Sequence, residues 1–152
     1  MNSVTSSKVG AICYVLWGVM HALIGIQILF LNLGNSTHSV IAALYADAGP
    51  VATPEQLGSV VWALMNQHGW NLLWFGVFAI VVGAVWNWRN SIAGYWTNLA
   101  VVSLADIGFI GAVLIPGYIS FWVGIWGPLL WVFAVIFSTL GIKQIHANSN
   151  LS

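Results

Sequence analysis

Two side chains in this sequence could do acid–base chemistry in an apolar setting. His21 interrupts VLWGVMHALIGIQ, and Asp106 interrupts AVVSLADIGFIGA. An imidazole titrates near neutrality and serves as general acid, general base or hydrogen-bonding anchor. A carboxylate placed beside it would orient the ring. The reason to consider them together is depth. Asp106 is one of only six Asp, Glu, Lys and Arg residues in 152, and the stretches around it and around His21 are long enough to cross a bilayer.

Four such stretches occur: Val9 to Leu33, Trp70 to Trp88, Ile92 to Ile115 and Ile119 to Ile142. About 20 apolar residues suffice for a crossing. The chain is 60% hydrophobic and 4% charged, with a mean hydropathy of +0.92. Soluble domains carry about 25% charged residues. The expectation is therefore a single all-α domain, an integral membrane four-helix bundle. The first stretch is too long for a secretion signal and lacks a small-residue cleavage site, so it reads as a retained span.

Lys8 precedes span one, Arg89 follows span two and Lys143 follows span four, which puts all three on one side of four crossings. The opposite connections, Gly34 to Gly69 and Pro116 to Tyr118, contain neither Lys nor Arg. By the positive-inside rule both termini are expected in the cytoplasm, and a bacterial inner membrane is the expected location. Tryptophans are expected to mark both interfaces: Trp62, Trp70, Trp74, Trp122 and Trp126 outside, Trp86, Trp88 and Trp96 inside. Only Trp17 and Trp131 lie deeper.

With a rise of 1.5 Å per residue, His21, twelve residues from Val9, and Asp106, fourteen from Ile92, reach about the same depth near the midplane. A charge there costs about 3 kcal/mol on insertion scales, so Asp106 needs a partner or a proton, and His21 is the natural partner. Helical phase gives one stripe of Tyr14, Trp17, His21, Ile28 and Asn32, and another of Tyr95, Leu99, Val102, Asp106 and Val113. If they face each other they form a narrow polar seam, with Trp131 at the same depth. Three roles for the pair remain open: a buried bond fixing register, an acid–base or anchoring pair for a lipophilic molecule, or a proton relay.

A second polar cluster, NQHGWN, stands at the outer mouth of span two, with Gln67, His68 and Asn71 as candidate ligand-binding residues. The outer connection 34–69 is expected to be partly helical. SVIAALYADA (39–48) looks like a short helix, and Thr53 to Gln56 forms a capping box. From 54 to 68 the pattern suggests a helix that extends span two or lies on the membrane surface, with Gly69 as the bend. Asn35-Ser36-Thr37 is a glycosylation sequon if the source is eukaryotic. Small residues four apart, Gly18/Ala22, Ala79/Gly83 and Gly108/Ala112, favour close helix packing.

The remaining classes are argued against residue by residue. No span contains Lys, so a retinal Schiff base is excluded. His68 is expected more than a helical turn above His21, which disfavours a bis-histidine heme. No metal-ligand spacing, phosphate loop or basic patch is present, so no metal and no nucleic acid are expected; any other cofactor is unknown. Three functions stay open. The chain could be an accessory or binding protein of a larger membrane complex or homo-oligomer, an enzyme on a quinone, sterol or lipid with His21 and Asp106 as working pair, or a small proton or solute transporter.

Overall fold

The computed structural model describes residues 3–33 and 59–149. Helix α1 (Ser3–Leu33) and helix α2 (Ser59–Val85) are followed by a 3-10 turn at Asn87–Arg89 and by α3 (Ile92–Phe109). A π-helical stretch, Ile110–Leu114, continues α3. A one-turn helix, α4 (Phe121–Gly124), precedes α5 (Trp126–Ser149). No strand occurs among the described residues. Four helical segments are long and apolar enough to cross a membrane: Val4–Phe30, Ala63–Arg89, Ile92–Leu114 and Phe121–Gln144.

One alternative for span two is taken up and one expectation changes. The helix runs from Ser59 straight through Gly69, so residues 59–68 extend span two and Gly69 does not interrupt it. Gly69 is instead a contact point, because a Cβ there would stand 2.9 Å from Ile28 Cγ2. The proposed helix at 39–48, the capping box at 53–56 and the sequon at 35–37 lie outside the described residues.

The break between α4 and α5 follows from Pro128. It has no N–H to bond the Gly124 carbonyl one turn back, so the helical ladder lapses there. Leu129 resumes the ladder by donating to the Ile125 carbonyl at 3.0 Å. At the other end of the chain's tight turns, Asn90 adopts a left-handed conformation (φ 55°), which Asn tolerates better than most residues. Its amide donates to the Gly141 carbonyl at 3.1 Å, pinning the α2–α3 turn to α5.

Helix α1 is the centre of the packing. It lies between α2 and α5, its two most extensive neighbours, while α3 makes thinner contacts with both α2 and α5. Glycines make this possible. A Cβ on Gly18 or Gly25 of α1 would fall 2.5 Å from the α2 backbone, at Gly76 and Leu73 respectively. On the α5 side, Gly10 leaves no room before Ser138, and Gly141 meets Ser7. In lipid, where apolar burial drives little association, such close backbone approach is the main source of helix–helix attraction. The Gly108/Ala112 pair does not take part: nothing lies within 4 Å of where a Gly108 Cβ would be.

The remaining surface is apolar. Leu16, Leu23 and Phe30 of α1, Val77 and Val81 of α2, Leu104 and Ile107 of α3, and Phe133 and Ile136 of α5 are all exposed. Trp70, Trp74, Trp122 and Trp126 are exposed toward one end of the bundle, and Trp86, Trp88 and Trp96 toward the other. Trp17 is fully buried, and Trp131 packs on the core of Tyr14, Trp17, Ala79, Val102 and Ala134. Lys8 sits over the Trp88 ring at 5.2 Å from its centroid, at the end where Ser7, Asn90 and Gly141 meet.

Candidate functional site

His21 belongs to α1, one turn after Trp17. Its Nδ1 stands 2.9 Å from the Trp17 carbonyl oxygen. A carbonyl only accepts, so Nδ1 carries the proton and Nε2 is left as the ring's acceptor. The two ring nitrogens point away from each other, so Nε2 faces away from the helix turn that captures Nδ1. The imidazole also stacks on the Trp17 indole, centroids 3.7 Å apart with 23° between planes. One bond and one stacked ring thus fix both its tautomer and its orientation.

Asp106 lies on α3 in a buried row with Gly94, Asn98 and Val102, spaced four residues apart and so on one helical face. It is 1% exposed. The Trp17 side chain is the hydrogen-bonding group within its reach, yet neither Trp17 Nε1 nor Asp106 Oδ2 closes a bond of ordinary geometry. The expected direct bond between His21 and Asp106 is not made. His21 spends its donor on the Trp17 carbonyl instead. The two groups nevertheless converge on Gly127 of α5. A Cβ there would stand 3.4 Å from both His21 Cε1 and Asp106 Oδ1, so no more than twice that distance separates those atoms.

Above this point is a cavity of about 390 Å³. Trp17, Met20, His21, Ile24 and Ile28 of α1 form one wall, and His68, Asn71, Leu72 and Phe75 of α2 another. Ala105, Gly108 and Phe109 of α3, with Val113 of the π-helical stretch, form the third. Ile119, Val123, Gly124 and Gly127 close the fourth side. From Trp17 to Ile28 it follows about 16 Å of α1. Its deep end rests on the fully buried Trp17, with Tyr14, Val102 and Ala134 in the core below. His68, Gly108 and Val123 on its walls keep exposed surface.

The π-helical stretch contributes to the shape. Ile115 donates to the Ile110 carbonyl at 2.9 Å and Tyr118 to the Val113 carbonyl at 3.1 Å, each five residues back. The wider turn displaces Val113 relative to an α-helical path. Such turns recur at functional sites.

The structure therefore gathers His21, His68, Asn71 and Trp17 around one space, where the sequence suggested a midplane seam and a separate outer mouth. His68 and His21 line the same cavity from α2 and α1. Asp106 lies just behind the deep end. Four candidates fall elsewhere. Tyr14 is buried in the core, its hydroxyl unpartnered among the described residues. Tyr95 hydroxyl pairs with Thr139 Oγ1 at 3.1 Å. Trp131 Nε1 donates to Ser103 Oγ at 2.9 Å. Gln67 is exposed and not on the cavity wall.

Residues missed from the sequence are the glycines. Gly124 and Gly127 make room for the cavity, and their only sequence signal is their spacing around Pro128. Among the described residues no group of three His, Cys, Asp or Glu is placed to hold a metal ion. Comparison of the chain with protein-family models, with curated proteins and with solved structures returns no match.

Proposed function

We propose that this chain is an integral membrane protein that binds a small lipophilic molecule between its helices. The observation that carries this reading is the 390 Å³ cavity, apolar over most of its walls, with His21 at the deep end and His68 and Asn71 nearer the outer end. Small-molecule sites have this character: a largely apolar hollow of roughly 300–1,000 Å³ with a few convergent polar groups. Exposed wall residues at Gly108 and Val123 favour entry from the bilayer, the phase in which such a ligand dissolves.

The orientation that goes with this reading puts both termini in the cytoplasm and Pro116-Gly117 outside, in a bacterial inner membrane. Lys8, Arg89 and Lys143 supply the sequence argument. The closed floor of Trp17 and its core neighbours favours a dead-ended pocket over a path for protons or solutes across the membrane. Whether the bound molecule is only held or also converted turns on His21, whose acceptor nitrogen is the one preoriented base at the deep end. A larger membrane complex or a second copy of this chain remains compatible as the setting in which the pocket works.

The test is native mass spectrometry of protein extracted gently from its own membrane, alongside analysis of the organic extract. Wild-type protein is expected to carry additional mass from an apolar compound, and His21→Ala to lose it while unfolding at a similar temperature. A clean wild-type mass, with no lipophile in the extract, overturns the reading.

A further inference from the structure

We infer that the molecule held in the cavity presents a hydrogen-bond donor, an uncharged hydroxyl, to the point where His21 and Asp106 meet at Gly127. This deepens the proposed function and rests on it. His21 Nε2 is an acceptor because Nδ1 is committed to the Trp17 carbonyl at 2.9 Å. Asp106 Oδ1 stands over the same spot, 3.4 Å from where a Gly127 Cβ would be. No hydrogen bond between the two groups intervenes, and Asp106 Oδ2 has no partner among the described residues. The Cε1 edge of His21, next to Nε2, and Asp106 Oδ1 thus border one small space, and the one proton of a hydroxyl placed there goes to Nε2.

A site built this way discriminates by chemistry. A ligand ending in a carbonyl, an ether or a plain hydrocarbon would leave His21 Nε2 buried without a donor, and an unmet buried acceptor is costly. A hydroxyl satisfies it. An ammonium would also donate, but its charge would have to be desolvated near the bilayer centre. The lipophile is therefore of the phenol, hydroquinone or sterol kind, and neither a quinone nor a hydrocarbon chain. Gly127 is the specificity-determining position, since any side chain there would occupy the space the hydroxyl needs.

The experiment uses a matched pair of probes, 4-octylphenol and its methyl ether 4-octylanisole, titrated onto the purified full-length protein by native mass spectrometry. They share their apolar body and differ in the donor. The phenol is expected to bind at least tenfold tighter than the ether. In His21→Phe, the preference is expected to disappear, with the ether's affinity kept. In Gly127→Ala, the phenol is expected to lose more affinity than the ether. Equal binding of the two probes to wild-type protein overturns the inference and leaves the lipophile-binding reading standing. So does a preference that persists in a folded His21→Phe. Failure of both probes to bind overturns both. The wild-type ratio decides the matter even if His21→Phe does not fold.

Discussion

Gly18 and Gly76 face each other backbone to backbone. A Cβ on Gly18 would stand 2.5 Å from the Gly76 carbonyl oxygen, and a Cβ on Gly76 would stand 2.5 Å from the Gly18 carbonyl oxygen. The α1–α2 contact is closed at this point by the absence of side chains, and the far atoms are backbone, which cannot rotate away.

Gly76→Ala is therefore expected to force the helices apart at their closest contact. Overpacking costs about 1–3 kcal/mol in well-packed interiors, and here one added methyl meets two elements of main chain. Gly108→Ala is the internal control, because nothing lies within 4 Å of its Cβ position. It is expected to be neutral or, through helix propensity, stabilising by up to about 1 kcal/mol. Thermal unfolding in detergent, followed by loss of the monodisperse peak, separates the two. Equal losses would mean that the α1–α2 seam is not where the bundle is held.

At the other end of the bundle, Asn87 and Asn98 form a buried amide pair at 3.0 Å. Asn87 is best satisfied with its nitrogen toward the Val82 and Gly94 carbonyls, at 3.1 and 3.3 Å, and toward Asn98, whose amide then presents its oxygen. Asn87 has two N–H groups to share among these three acceptors, whereas Asn98 bonds only Asn87 among the described residues. Replacing either by Ala leaves a buried polar partner behind, costing about 1–3 kcal/mol, with Asn87→Ala the larger loss. A double-mutant cycle is expected to give a coupling of about 0.5–3 kcal/mol. Additive effects would show the pair to be a proximity without a bond.

Much of this architecture was legible in advance. The four apolar runs became four long helices because helix length and apolarity are local properties. Trp70, Trp74, Trp122 and Trp126 fell at one end of the bundle and Trp86, Trp88 and Trp96 at the other, with Trp17 and Trp131 inside. The partners of the small residues were not legible. Gly18-x-x-x-Ala22 announced a smooth face, but nothing in its spacing named Gly76 of α2 as what meets it. Phase in α3 was nearly right: Val102 and Asp106 are buried, but their row continues through Asn98 and Gly94 and not through Tyr95 and Leu99. The bond of His21 to the Trp17 carbonyl was accessible in principle, since a polar ring in an apolar helix can turn to the carbonyl one turn back. Pairing it with Asp106 across the bundle overlooked that competitor. The cavity itself needed Gly124 and Gly127, whose effect is an absence of atoms and leaves no hydropathy signal.

Orientation can be read chemically. The Pro116–Tyr118 turn and the Asn87–Ser91 turn lie at opposite ends of α3, so a reagent excluded by the membrane should reach only one. In a Cys13→Ala background, Tyr118→Cys is expected to react with an impermeant maleimide in intact cells. Ala93→Cys is expected to react only after permeabilisation. The reverse pattern would place Lys8, Arg89 and Lys143 outside and defeat the argument from positive charge.

Asp106 offers the sharpest separation of fold from function. It is 1% exposed, and its Oδ2 has no partner among the described residues. Asn has the same size and can no longer ionise, so Asp106→Asn gives up no bond that is made and removes the prospect of an unpaired charge at bilayer depth. Its unfolding temperature is expected to equal or exceed that of the wild type. Trp17→Ala, by contrast, empties a fully buried indole site and removes the ring on which His21 stacks, 3.7 Å away, so a loss of about 3–5 kcal/mol is expected. If Asp106→Asn instead unfolds at a clearly lower temperature, the carboxylate is bonded in the folded protein, and the Trp17 indole N–H is the donor within its reach. Its presence inside the bundle would then be a matter of architecture. If it folds as well as the wild type but no longer retains the lipophile, the carboxylate is there for the ligand.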